Sequence, residues 1–232
     1  MLVETSHPGN IGAAARAMKN MGLSKLVLVK PCEYQTYECY ARASGAEDIV
    51  DAAQVFDDLA SAVADSTLVV GTSARLRSLP WPQLNPRECA DTVASHLNNG
   101  GIASVVFGRE RSGLSNAELS LCSSLLHIPT VEEFSSLNVA AAVQVVAYEL
   151  IVSSAPAAVR SEYADTLPVP QAEMERLYAH FFDVLVAVGY HDPENPRQLP
   201  LRMRRLFNRA QPDHSEMQVL RGFLAAVEKK IR

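Results

Sequence analysis

Short apolar runs, each closed by glycine, proline or polar residues, alternate with helix-patterned segments through most of the chain, and few architectures accommodate that alternation. The runs at residues 26–29, 67–70, 103–107 and 125–128 are mostly Leu, Val and Ile without regular polar interruption, the pattern of strands buried on both faces. Helical spacing occupies residues 12–21, 52–64, 87–97, 116–123 and 139–152 before, between and after them. The expectation is an α/β fold with a parallel sheet flanked by helices. Only Met1, Leu2 and Val3 precede the first glycine-containing loop, so the first strand is expected to be very short, and whether the natural N-terminus is longer stays open.

Residues 1–152 read as the main domain and residues 153–170, rich in Ser, Ala and Pro with Pro156, Pro168 and Pro170, as a linker that cannot continue a helix. Residues 171–232 read as a small helical C-terminal extension. There Met174, Leu177, Tyr178, Phe181, Leu185 and Val188 recur at steps of three and four before Gly189. A second helix is expected over 201–209, and a third from about Asp213, with Glu216 completing a capping box and Met217, Leu220, Phe223, Leu224, Val227 and Ile231 buried. So small a unit needs another surface to pack on, either the main domain or a partner.

The longest apolar stretch, 139–152, is interrupted by Gln144 and Glu149 and falls short of the ~20 residues that span a bilayer. No secretion leader precedes it, so a cytoplasmic protein without membrane contact is expected. Cys32, Cys39, Cys89 and Cys122 lack a C-x-x-C pair or a histidine at ligand spacing, which favours reduced structural thiols and no metal site. A net charge of −5 counts mildly against a nucleic-acid partner, but Arg197, Arg202, Arg204, Arg205 and Arg209 follow one another without an intervening acid. Such a segment suits RNA, although a solvated helix face has the same composition.

Loops at the carboxyl ends of parallel strands are where open α/β sheets bind ligands, because backbone amides approach unobstructed. Gly71-Thr72-Ser73-Ala74, Gly108-Arg109-Glu110 and Ile128-Pro129-Thr130 each follow an expected strand, and no G-x-G-x-x-G dinucleotide fingerprint is present. Any one of them is compatible with a plain turn. Their order, with His7-Pro8-Gly9-Asn10-Ile11-Gly12 and Arg16 before them and Ser135-Ser136-Leu137-Asn138 after, resembles the three signature motifs of the SpoU-type (SPOUT) RNA methyltransferases.

That resemblance covers residues 3–152 and implies a C-terminal trefoil knot in the parallel sheet, bound S-adenosylmethionine, and a homodimer in which one subunit's first-motif arginine approaches the other's cofactor. Glu4-Thr5-Ser6-His7, Leu79-Pro80-Trp81-Pro82, Pro86-Arg87-Glu88-Cys89 and residues 143–149 are similar to the subgroup of tRNA ribose 2′-O-methyltransferases acting at position 32 of the anticodon loop, on cytidine or uridine. The resemblance places Thr72, Ser73, Ala74, Gly108, Ile128, Ser136 and Leu137 at the cofactor. It places Asn10, Arg16, Glu110, Ser136 and Asn138 at the reacting ribose and methyl group. Another tRNA or rRNA ribose, or a non-catalytic RNA-binding protein with this fold, remains an alternative; tRNA is the expected partner and DNA is not.

The ordinary readings stand beside these. Asn10 could cap the helix expected from residue 11 or 12. Arg16, among Ala13, Ala14, Ala15 and Ala17, could be a solvated surface arginine. A guanidinium holds its proton too tightly to be a good general base, so Arg16 is expected to orient the 2′-hydroxyl and stabilise its developing charge, with proton acceptance left open. Glu110 could orient Arg16 or ion-pair with Arg109 or Arg111. Arg75 and Arg77, after the Thr72-Ser73 loop, and Arg202, Arg204 and Arg205 are the RNA-binding candidates.

Overall fold

In the computed structural model, described over residues 1–74, 82–154 and 169–231, seven parallel strands lie side by side. The first half comprises β1 (Leu2–Val3), α1 (Pro8–Asn20), β2 (Val27–Val29), α2 (Tyr37–Ala43), α3 (Glu47–Asp51), β3 (Gln54–Phe56) and α4 (Leu59–Ala62). Then come β4 (Leu68–Thr72), β5 (Gln83–Leu84), α5 (Pro86–Asn98), β6 (Ala103–Val106), α6 (Asn116–Leu119), β7 (Ser124–Leu126), a 3-10 turn at Glu132–Phe134 and α7 (Val139–Ser153). The tail holds α8 (Gln171–Ala187), α9 (Leu199–Ala210) and α10 (His214–Ile231).

β1, β2 and β3 are neighbours in that order, and β5, β7, β4 and β6 form a second group. The two groups meet at Phe107, just past β6, whose N–H donates to the Met1 carbonyl at 3.0 Å and whose carbonyl accepts from Val3 N–H at 2.9 Å. The combined order is therefore β5-β7-β4-β6-β1-β2-β3. Side chains alternate across it: Leu2, Leu28, Val70 and Leu126 are buried in one cluster with α1, α2, α5 and α7, whereas Val3, Val29, Val69 and Leu125 are buried on the other face with Leu59, Val63 and Leu119. Both faces are covered, which is why these strands read as continuous apolar runs.

Several boundaries depart from expectation for identifiable reasons. α1 begins at Pro8, four residues before the expected start, because proline loses nothing at a helical first turn where its missing N–H has no partner. His7 occupies the N-cap, so Asn10 lies inside the first turn and is not the cap. Gly12 is obligatory in α1, since a Cβ there would stand 1.9 Å from the Cys39 carbonyl of α2. The helix expected over 52–64 is instead the turn that closes α3 at Ala52, the strand β3 and the short α4. Asp58 starts α4 by accepting from Ser61 N–H at 2.8 Å, and β3 pairs on the sheet edge with Val55 53% exposed. α6 stops after four residues, its start fixed by the Ser115/Glu118 capping box.

In the tail, Tyr178 and Leu177 are fully buried with Met174, Val184, Phe207, Met217 and Leu224. Asp213 and Glu216 form the expected capping box, at 2.8 and 3.0 Å. Phe223 and Ile231 differ from expectation, being 63% and 44% exposed, and so does Val188 at 45%, with Val184 buried in its stead. The tail packs on the sheet unit: Gln171 and Ala172 N–H donate to the carbonyls of Ser66 and Ala64, and the buried Asn208 amide donates to those of Ser120 and Cys122 at 3.1 and 3.2 Å. All four acceptors precede β4 or β7, so the contact lies at the amino ends of those strands.

Candidate functional site

At the opposite, carboxyl ends of β4, β6 and β7 the loops enclose an open cleft of about 180 Å³. Thr72, Ser73, Ala74, Gly108, Ile128, Ser136 and Leu137 all line it, together with Arg109, Glu110, Leu126, Ser135, Val139 and Ala142. The loops brace one another. Ser73 N–H donates to the Leu126 carbonyl at 3.0 Å, and His127 Nδ1 lies 3.1 Å from the Ser73 carbonyl. Gly108 permits a tight fold of its own loop, where a Cβ would lie 2.3 Å from the Gly113 carbonyl carbon. Leu126, Ile128, Leu137, Val139 and Ala142 contribute apolar lining, and Thr72, Ser73, Ser135, Ser136 and Glu110 polar lining. That mixture suits a ligand carrying both a flat apolar ring and hydroxyl or charged groups.

Glu110 is the hub of the polar lining. Its carboxylate accepts from Ser6 N–H at 3.2 Å, from Ser6 Oγ at 3.1 Å and from Asn10 Nδ2 at 3.0 Å. Asn10 Oδ1 in turn accepts from Asn138 Nδ2 at 2.9 Å, and Asn138 Oδ1 caps α7 by accepting from Ala140 and Ala141 N–H at 2.9 and 3.4 Å. One hydrogen-bonded chain thus joins the loop before α1, the loop after β6 and the start of α7. Burial alone would raise the Glu110 pKa, but the bonds from Asn10 and Ser6 outweigh it and hold the carboxyl below its usual range. A negative charge therefore persists at the cleft wall.

Glu110 does not pair with Arg109, whose guanidinium faces elsewhere. Arg109 Nε and Nη2 donate to Glu4 at 2.8 and 2.6 Å, and Nη1 and Nη2 donate to Glu118 at 2.9 and 3.0 Å. Nη1 also reaches the Gly113 carbonyl at 3.3 Å. Hydrogen bonding from Arg109 draws the Glu4 carboxyl down; for Glu118, burial opposes and the bonds from Arg109 and Ser115 prevail, again lowering it. No local pattern singles out this triad, although the S-x-x-E spacing of 115–118 marks one member as a helix-capping glutamate.

Arg16 lies six residues beyond Asn10 on α1, on a different face of the helix, exposed and outside the cleft lining; among the described residues its guanidinium has no hydrogen bond or ion pair. His7 lies 3.7 Å from Glu38. Arg75 and Arg77 fall outside the described residues. On α9, Arg202 is exposed and bonds Gln198 at 3.1 and 3.3 Å, whereas Arg204 is forked onto Glu175 at 2.5 and 2.7 Å and lies 4.6 Å above the Tyr178 ring. Arg204 is thus already engaged within the tail; Arg205 is half-buried. All four cysteines are free thiols, and burial pushes Cys89 to about 11 and Cys122 to about 12, values of inert thiols. Among the described residues no three His, Cys, Asp or Glu side chains come together as a metal site would need, and no helix is long and apolar enough to cross a membrane.

Comparison with known proteins sets this geometry among relatives. The SpoU rRNA methylase family profile matches residues 1–148, and that of the tRNA methyltransferase TrmJ C-terminal domain matches residues 172–232. A Pseudomonas aeruginosa (strain UCBPP-PA14) protein named tRNA (cytidine/uridine/adenosine-2′-O-)-methyltransferase TrmJ is 49% identical over 100% of this chain and 94% of its own. A Cronobacter sakazakii protein named tRNA (cytidine/uridine-2′-O-)-methyltransferase TrmJ is 45% identical over 98% and 94%. The crystal structure of TrmJ from Z. mobilis ZM4 superposes with a TM-score of 0.82 at 34% identity, covering 98% of this chain and 97% of that one.

Proposed function

The chain belongs to the SpoU rRNA methylase family, and from that membership we propose that it is an S-adenosylmethionine-dependent tRNA ribose 2′-O-methyltransferase acting on cytidine or uridine at position 32 of the anticodon loop. The observation that carries the reading is the convergence of three separate loops on one cleft lined by Glu110, which hydrogen bonds join to Asn10 and through it to Asn138 just outside that lining. S-adenosylmethionine, when bound, supplies a sulfonium-activated methyl group. Thr72, Ser73, Ala74, Gly108, Ile128, Ser136 and Leu137 hold it, the apolar lining taking the adenine and the hydroxyls and backbone groups the ribose and amino-acid portions. Charge at Glu110 favours a cationic centre nearby.

Asn10, Glu110, Ser136 and Asn138 position the target sugar. Asn10, Glu110 and Asn138 are oriented before substrate arrives, because both polar atoms of the Asn10 amide already have a partner, and such preorganisation is what lowers the barrier of a transfer between two held groups. Arg16 orients the 2′-hydroxyl and stabilises its developing negative charge. Its exposed position, clear of its own protomer's cleft, supports a homodimer in which it serves the second cleft. Tyr148, Ile151 and Val152, exposed at the end of α7, are apolar surface available to such a contact. Arg75, Arg77, Arg202 and Arg205, with a lesser share for Arg204, hold the RNA backbone. The enzyme works in the cytoplasm as residues 1–152 and 171–232 joined by a linker at 153–170. Its sheet carries a trefoil knot, a reading supported by the insertion of β7 between β4 and β5.

The decisive test incubates the protein with labelled S-adenosylmethionine and tRNA lacking 2′-O-methyl groups, then maps the modified nucleotide by mass spectrometry. Label on the ribose at position 32 is expected. Label on another ribose moves the target, label on a base refutes ribose transfer, and cofactor binding without label indicates a non-catalytic RNA-binding protein. Sedimentation at nanomolar concentration tests the dimer, which a fully active monomer would overturn.

A further inference from the structure

We propose that Arg109 is a positioning residue for methyl transfer, clamping the loop before α1 to the loop after β6 so that Glu110 meets Asn10 in a single geometry; the proposal rests on the cleft being the methyl-donor site. Arg109 and Glu110 are consecutive, and both grip the segment that runs from the first loop into the first turn of α1. Arg109 takes Glu4 through two bonds, and Glu110 takes Ser6 and Asn10.

The other half of the Arg109 fork is anchored on Glu118 in the first turn of α6 and on the Gly113 carbonyl of its own loop. Glu118 is itself tied down, because it accepts from Ser115 N–H at 2.6 Å at the start of α6. The guanidinium therefore sits between Glu4 of the first loop and Glu118 of α6 with its N–H donors arranged to meet both, a geometry that an ammonium cannot reproduce. Glu4 occupies the left-handed backbone region at φ 47°, unusual for a non-glycine residue, while its N–H is bonded to the Val29 carbonyl at 2.7 Å. A conformation of that kind persists when surrounding contacts over-determine it, and Arg109 supplies the side-chain contact.

Arg109 lines the cleft alongside Gly108 and Glu110, whereas the Thr72–Ala74, Ile128 and Ser136–Leu137 parts of the wall come from other loops. Loosening Arg109 should thus disturb the alignment of Glu110 and Asn10 more than it disturbs cofactor binding. Misplacement on the scale of an ångström suffices to cost about 100-fold in rate.

The test uses the full chain with Arg109→Lys, Glu4→Gln and the double variant, measuring tRNA methylation, the dissociation constant for S-adenosylmethionine alone by calorimetry, and thermal melting. Arg109→Lys is expected to lower kcat about 10- to 100-fold while the cofactor constant changes by less than about threefold. Glu4→Gln keeps the shape of its side chain and should lower kcat in the same direction, with the double variant no worse than Arg109→Lys, since both break one clamp. Unchanged kcat in Arg109→Lys overturns the proposal. So do a weakened cofactor constant at constant kcat, multiplying losses in the double variant, or a rate loss that vanishes once the folded fraction is accounted for. Failure of the wild-type protein to bind S-adenosylmethionine would overturn the site reading and this proposal together, and is recognisable as such.

Discussion

Glu110 shows how much depends on one carboxylate, because its two oxygens receive three donor groups from Ser6 and Asn10. Glu110→Gln leaves a single acceptor oxygen and introduces an NH2 facing N–H donors. Melting should report a loss of about 1–3 kcal/mol and methylation a fall of about 100-fold. Since the folded-state pKa is lowered, this stabilisation is complete above the ordinary carboxylate value of 4.5 and is lost as pH falls through the lowered value. Decline at higher pH must have another source, and His96 is one. Burial depresses its pKa below 6.5, and the ring bonds Thr67 Oγ1 at 2.7 Å. The unfolded chain then takes up a proton that the folded one resists, so stability falls as pH drops below 6.5 and levels off beneath the folded value. A melting series from pH 7.5 to 5.5 should show that slope, and His96→Gln should flatten it.

α7 joins architecture to chemistry through one residue, since Asn138 caps the helix with its oxygen and holds Asn10 with its nitrogen. The two duties are separable. Asn138→Ala should cost about 1 kcal/mol of stability together with activity. Asn138→Asp keeps the cap and suits a helix N-terminus, so its melting point should stay near wild type while activity falls, because the donor to Asn10 is gone and a second carboxylate stands near Glu110. Equal losses in both variants would contradict this division. Elements of this kind were legible in the sequence to different depths. The buried strands declared themselves because both faces are covered, and the capping boxes at 115–118 and 213–216 carry their own spacing. The edge strand β3 was hidden, since Val55 is half exposed and the flanking alanines extend a helical pattern that Asp58 interrupts. The seven cleft residues expected from the motifs do line one cleft, but Ser6 and Asn10 on Glu110 and Glu4 on Arg109 come from about a hundred positions away, beyond any local pattern.

For the whole molecule, the tail docks at the amino ends of β4 and β7, while the cleft opens at their carboxyl ends, a strand of five residues or about 16 Å away. Asn208, 6% exposed, carries that contact, donating to two main-domain carbonyls and accepting from Tyr178 Oη at 2.6 Å. Asn208→Ala leaves those groups unpaired, so about 1–3 kcal/mol should be lost and limited proteolysis between the main domain and tail should quicken. Arg202→Ser with Arg205→Ser should weaken tRNA binding and flatten its salt slope by about one unit per lost phosphate contact, whereas Arg204→Ala should chiefly lower the melting point through Glu175 and Tyr178. An unchanged slope would remove α9 from the RNA interface. The strand order carries a further implication for how the chain is made. β4 is synthesised well before either of its neighbours, β6 and β7, and acquires both only when residues 103–106 and 124–126 have emerged from the ribosome. During that interval its two hydrogen-bonding edges stand open, so growth of the nascent chain passes through a stage exposed to aggregation, and folding is slow because its central pairings span long stretches of sequence.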